Sequence, residues 1–107
     1  MSDDPVVRVL AALNAKNVEA FVACYAADAT IEDGHDRVRA RGRDAMRALY
    51  GAMFERFPDV QVEAVSRVDV GEFVVQEEVV TGRGERERHV AVYLVRDGVI
   101  ERERLLA

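Results

Sequence analysis

Three side chains are placed where acid–base chemistry could be done. Asp33 ends a short β-prone run, Ala29-Thr30-Ile31-Glu32-Asp33, which Gly34 stops. A carboxylate set against an apolar wall holds its proton more tightly, and can then take a proton from a carbon next to a carbonyl near neutral pH. Asp33 is equally placed to cap the turn at Gly34, or to pair with Arg37, Arg41 or Arg43. His89 and Tyr93 belong to a period-2 set with Ala91 and Val95 inside an apolar strand pattern. If that set faces an interior, His89 can relay a proton and Tyr93 can donate to an oxyanion. The complementary set, Val90, Val92 and Leu94, is an equal claimant for the core. Glu32 should point away from Asp33 and be solvated, and His35 falls in the turn beyond them, at the surface or at a cavity mouth. The runs Gln76-Glu77-Glu78 and Glu101-Arg102-Glu103-Arg104 admit two readings. They form a solvated or interfacial sheet face, or one member of each pair points inward and makes a cavity partly polar.

Much other chemistry is set aside by what the sequence lacks. Cys24 stands alone, so no internal disulfide and no cysteine-built zinc site is expected. Asp33, His35 and His89 show no H-x-x-x-H or H-x-H spacing, so neither a metal nor another cofactor is expected. The 107 residues carry 15 basic and 20 acidic side chains, a net charge of −5, which disfavours nucleic acid as a partner. Arg37, Arg39, Arg41 and Arg43 make a local basic patch that can draw an anionic ligand to a pocket mouth. Gly82-Arg83-Gly84 lacks the strand-to-helix setting of a phosphate loop. No apolar run approaches the roughly 20 residues needed to span a membrane. The acidic start, with no apolar segment behind it, gives the cytoplasm as the expected compartment.

The elements that must position these groups divide at Pro58. Before it the apolar period is helical. Pro5 suits a first helical turn capped by Ser2, Asp3 or Asp4, and Val6, Val9, Leu10 and Leu13 form one stripe. Asn17 can cap a second helix whose face holds Val18, Phe21, Val22 and Tyr25. Residues 34–43 read as an irregular basic connection. Asp44 is a plausible N-cap for a third helix, with Met46, Leu49, Tyr50, Met53, Phe54 and Phe57 on a wide apolar face. After Pro58-Asp59 the period becomes 2 and no helix returns. Turns at Gly71, Gly82 to Gly84 and Asp97-Gly98 divide this region into a four-strand antiparallel meander. A two-residue turn at Asp97-Gly98 would set Tyr93 opposite Arg102 and Val92 opposite Glu103. The chain should be one domain, residues 1–107, of α+β class: a cone in which a curved antiparallel sheet, about four long strands plus one short, wraps three N-terminal helices. Its unfilled interior is a natural ligand pocket. With the last strand ending the sequence, the mouth is expected to be open or covered by a partner.

Five motifs in order carry a resemblance. They are Tyr25-Ala26-Ala27-Asp28-Ala29-Thr30-Ile31-Glu32-Asp33, Gly42-Arg43-Asp44-Ala45-Met46, Phe57-Pro58-Asp59, Asp97-Gly98-Val99-Ile100, and the order of elements itself. Over nearly its whole length the chain resembles the nuclear transport factor 2-like superfamily, and within it the SnoaL-like and ketosteroid isomerase-like branch. That resemblance implies the cone fold and puts Asp33 at the position of the isomerases' general base. Their oxyanion donors, a tyrosine and a protonated aspartic acid, match Val9 and Ala91 here, which cannot donate. Steroid isomerisation itself is therefore not expected.

Two functions remain open. One is a cofactor-independent isomerase, cyclase or dehydratase acting on a small, mostly apolar, carbonyl-containing molecule, with Asp33 as base and Tyr25, Tyr50 or Tyr93, together with His89, polarising the substrate. The other is a non-catalytic ligand-binding or assembly module. In both, Val9, Leu13, Phe21, Tyr25, Tyr50, Phe54, Phe57 and Ala91 should line or plug the pocket. In both, a homodimer through the sheet is expected, because three helices cover only one sheet face.

Overall fold

A computed structural model describes residues 2–107. Helix α1 (Pro5–Asn14) begins where Asp4, in extended conformation, accepts hydrogen bonds from the backbone of Val6 and Val7. Pro5 sits at the first helical position, where no N–H is needed. Val6, Val9 and Leu13 bury one face. Asn14 then reaches across to the sheet: its amide donates to Val62 O at 3.0 Å and its Oδ1 accepts from Val62 N at 2.7 Å, in the manner of a neighbouring strand. Asn17 caps α2 (Val18–Val22) by accepting from Ala20 N. This helix is a turn shorter than the apolar spacing suggests. Tyr25 is not its last apolar position but the first residue of a strand.

That strand, β1 (Tyr25–Asp33), is longer than the β-prone run alone, and β2 (Val38–Arg41) occupies part of the segment expected to be irregular. The alternation of Val38, Arg39, Ala40 and Arg41 is a strand pattern at a sheet edge, with Ala40 alone buried. Helix α3 (Gly42–Arg56) starts two residues before Asp44, which lies in its first turn instead of capping it. Then follow β3 (Gln61–Val70), β4 (Phe73–Thr81), β5 (Glu87–Arg96) and β6 (Val99–Leu106). The sheet thus has six strands, ordered β2-β1-β6-β5-β4-β3. All neighbours are antiparallel except β1 and β6.

Glycine matters most closely at the turns into β6 and after β4. Asp97 and Gly98 both have positive φ, 53° and 77°, as a tight hairpin with right-handed strand twist requires. At Gly82, φ is +88° and a Cβ would lie 2.2 Å from Asp59 O, so any side chain there would push β4 off the end of α3.

The hairpin does not continue in simple register. Val95 pairs with Ile100, but Leu94 pairs with Arg102, which leaves Glu101 bulged out. Tyr93 therefore lies opposite Glu103, and Val92 opposite Arg104, one residue away from the unbulged expectation. Val74, Gln76, Glu78, Ala91, Tyr93 and Glu103 are buried on the face toward the helices. Val90, Val92 and Leu94 are on the other face and half-buried. The core sits between the inner face and the helices, with Phe21 at its centre, its ring 4.3 Å from that of Tyr50 and 5.3 Å from that of Tyr25. Burying one such aromatic contributes roughly 1.5–3 kcal/mol. Among the described residues no helix is long and apolar enough to cross a membrane.

Candidate functional site

Between the helices and the sheet lies a cavity of about 660 Å³. Val9, Leu13, Phe21 and Leu49 give it an apolar wall from the helices, and Val62, Val80 and Leu105 give another from the sheet. Exposed residues His35, Arg39, Arg56 and Arg88 surround its mouth. Of the residues expected to form the pocket, Val9, Leu13, Phe21, Tyr25, Tyr50 and Phe57 line it. Phe54 and Ala91 do not: both are buried in the packing behind the wall, Phe54 against the ring of Tyr50.

The buried polar groups of the cavity come from four neighbouring strands, β4, β5, β6 and β1, and from Tyr50 of α3. Three donors surround Glu78: Tyr93 Oη at 2.6 Å and Gln76 Nε2 at 2.8 Å, both on Oε2, with His89 Nε2 2.8 Å from Oε1. A carboxylate accepts only, so the proton shared with His89 belongs on Nε2. Glu103 is different. It is buried, and its sole hydrogen-bond donor among the described residues is the Tyr25 hydroxyl, on Oε1. Burial, reinforced by the nearby charge of Glu78, pushes its pKa up to about 7, although Tyr25, His89 and Arg39 pull the other way. Two carboxyl groups in one cavity are thus held unlike each other, Glu78 by three side-chain partners and Glu103 by a single hydroxyl. The hydroxyls of Tyr25, Tyr50 and Tyr93 are all held in their protonated form, chiefly by burial and then by the Glu103 charge. Tyr50 makes no side-chain hydrogen bond among the described residues and lines the cavity, so its hydroxyl is free for a ligand.

Asp33 also borders the cavity, at its rim. Its Oδ1 accepts from His35 N at 2.8 Å and Arg37 N at 3.1 Å, and its Oδ2 from Arg37 Nε at 3.0 Å. The backbone donor of His35 and the paired Arg37 hold its pKa below the usual carboxylate value. This is a turn cap and ion pair, and the shift runs opposite to what a base against an apolar wall requires. His89 and Tyr93 do face the cavity, but both are bound to Glu78, away from Asp33. Glu32 points to the opposite face from Asp33 and, contrary to expectation, is buried. Arg102 grips it with two bonds of 2.9 and 3.0 Å, and Arg104 and Thr30 add one each. These bonds, that of Arg102 foremost, lower its pKa to about 2. Among the described residues no three histidine, cysteine or carboxylate side chains cluster as metal donors would.

Sequence reasoning on chemical grounds alone did not single out Glu103 or Glu78. The available signal was the inward alternative for the charged strand runs, since a carboxylate two residues from apolar core positions on a central strand shares their face.

A curved sheet closed by three helices over an acid-lined cavity is the cone of the nuclear transport factor 2-like, ketosteroid isomerase-like fold. The chain belongs to the SnoaL-like domain family, whose model matches residues 6–103. Among solved structures, it is similar to an uncharacterised cystatin-fold protein of Novosphingobium aromaticivorans, with 27% identity, TM-score 0.91, and 100% and 99% of the two chains covered. It is similar in fold to a Sinorhizobium meliloti protein proposed to be a polyketide cyclase, with 21% identity, TM-score 0.84, and 98% and 94% covered. It is likewise similar in fold to an LEH-like epoxide hydrolase of M. tuberculosis, with 22% identity, TM-score 0.77, and 95% and 78% covered. No protein of curated function matches the sequence.

Proposed function

We propose that this protein binds a small, mostly apolar, carbonyl-containing molecule and catalyses proton transfer on it, as a cofactor-independent isomerase, cyclase or dehydratase does. The observation that carries the reading is Glu103: a buried carboxyl on a cavity with apolar walls, held by one tyrosine, and divided between acid and base near neutral pH. In its ionised fraction Glu103 takes a proton from the carbon next to the carbonyl, so that a C–H bond breaks and a carboxyl O–H forms. The electron pair moves onto the carbonyl oxygen, where the free Tyr50 hydroxyl can donate. Glu103 then returns the proton to carbon or to a leaving oxygen. Glu78 and His89 act as positioning residues, bound to each other beside Glu103. The base is therefore proposed to be Glu103 in place of Asp33.

The test is exchange of α-hydrogens for deuterium from solvent in a panel of aryl ketones, with a direct titration of Glu103 by carboxyl NMR. Catalysed exchange with an inflection near pH 7, lost in Glu103→Gln and kept in Asp33→Asn, is the expected result. A Glu103 that titrates near 4.5, or exchange abolished by Asp33→Asn alone, would refute the assignment.

We also propose a homodimer through the outer sheet face. Val68, Val70 and Phe73 are 59%, 63% and 47% exposed there, beside the half-buried Val75, Val90, Val92 and Leu94. A contiguous apolar face of this kind calls for a partner, and the chemistry that fits an apolar strand face is a second copy of it.

A further inference from the structure

The cavity mouth carries charge that the protein leaves unneutralised. Four side-chain carboxyl groups line the cavity, and each has a partner: Asp33 has Arg37, Glu87 has Arg83, Glu78 has His89, Tyr93 and Gln76, and Glu103 has Tyr25. The cations are not matched in the same way. Arg83 and Arg88 have Glu87 and Glu77. Arg39 and Arg56, which also line the cavity, have no carboxylate and no hydrogen-bond acceptor among the described residues, although most arginines of this chain do. Arg56 lies 5.0 Å from the centre of the Phe57 ring, in the last turn of α3, where a cation also suits the helix terminus. Arg39 has no such structural occupation. It stands on the edge strand β2, and its field reaches Glu103 and Tyr50 inside the cavity.

A chain of net charge −5 thus has two free guanidinium groups at the entrance to an apolar pocket. We infer that the ligand is an amphipathic anion, an apolar body bearing a carboxylate, whose charged end is held by Arg39, with Arg56 adding positive field from the far end of α3, while the body lies against Phe21, Leu13 and Leu49. Guanidinium matches carboxylate in a two-bond geometry that a neutral group cannot reproduce. The inference rests on the proposed small-molecule site and names the class of molecule that enters it. It also orients that molecule, because a charge fixed at the mouth sends the opposite end, which carries the reacting carbonyl, toward Tyr50 and Glu103.

The test compares 2-naphthoate with the neutral isostere 2-naphthamide by calorimetric titration at pH 6 and low salt, on the whole chain. The acid should bind about tenfold tighter than the amide, the scale of one charge-assisted contact. Arg39→Gln should bring the ratio close to one, Arg56→Gln should lower it partly, and the exposed control Arg41→Gln, which does not line the cavity, should leave it unchanged. Equal binding of acid and amide by the unaltered protein, or a preference that survives Arg39→Gln, would overturn the inference and leave the small-molecule site standing. Binding of neither probe at millimolar concentration would overturn both.

Discussion

The Tyr25 hydroxyl on β1 donates to Glu103 on β6, two strands that run parallel and are fixed to each other by Ile100 N donating to Cys24 O at 2.9 Å. One element thus sets both the position and the proton affinity of the buried acid. In Tyr25→Phe the carboxylate loses the donor that stabilises its charged form, while burial and the Glu78 charge remain. The Glu103 pKa should rise above 7, and the inflection of any catalysed exchange should move with it. A merely structural role for Tyr25 would lower stability and leave the inflection in place. Carboxyl NMR on the variant separates the two.

A carboxyl whose folded pKa lies above its unfolded one gives stability at low pH and withdraws it as pH rises. Glu103 has a pKa of about 7 in the folded chain against 4.5 ordinarily. Below pH 4.5 both states hold the proton and nothing is lost. Between 4.5 and 7 the folded state holds more protons, so stability falls, by roughly 3 kcal/mol once pH exceeds 7. Glu103→Gln keeps the acceptor for Tyr25 and removes the buried charge. Urea denaturation should therefore find this variant more stable than the parent above pH 7, by about 2 kcal/mol, and no more stable at pH 4. A variant that gains stability as it loses activity is what a functional acid in an apolar site predicts.

The outer face gives the opposite slope. Glu32 is held near a pKa of 2 by Arg102 and Arg104, so its contribution is complete above 4.5 and disappears as pH falls toward 2. Both arginines are partly exposed, which screens the attraction. Glu32→Gln should cost about 1 kcal/mol at pH 7 and close to nothing at pH 2. A pH-independent cost would mean that packing, not charge, is what Glu32 supplies.

The helices, the change of period at Pro58 and the meander were legible in the sequence because each is a local pattern. The acid site was not, for a reason that can be named. Which face Glu103 takes depends on the bulge at Glu101, and a two-residue turn counted without that bulge sets Tyr93 against Arg102. Tyr25 was drawn into α2 by its spacing from Phe21 and Val22, whereas the chain ends that helix and starts β1, which lets the hydroxyl reach β6. Asp33 was legible as a chemical group and as the resemblance's match to a base. Its environment depends on the fold of the following turn, where two backbone N–H groups and Arg37 converge on it.

The outer sheet face supplies the remaining prediction. Val68 is paired with Val75, and Val70 with Phe73, on a face that no helix of this chain covers. Exposed side chains of this size contribute almost nothing to the monomer, so changing them should spare the fold. Val68→Lys and Phe73→Glu each place a charge where two copies would meet, and a desolvated, unpaired charge costs several kcal/mol. The parent should elute as a dimer in light-scattering chromatography at micromolar concentration, and the double variant as a folded monomer. Because the cavity opens on the other face, naphthoate binding should survive this change. A monomeric parent would remove the dimer from the account and leave the cavity chemistry untouched.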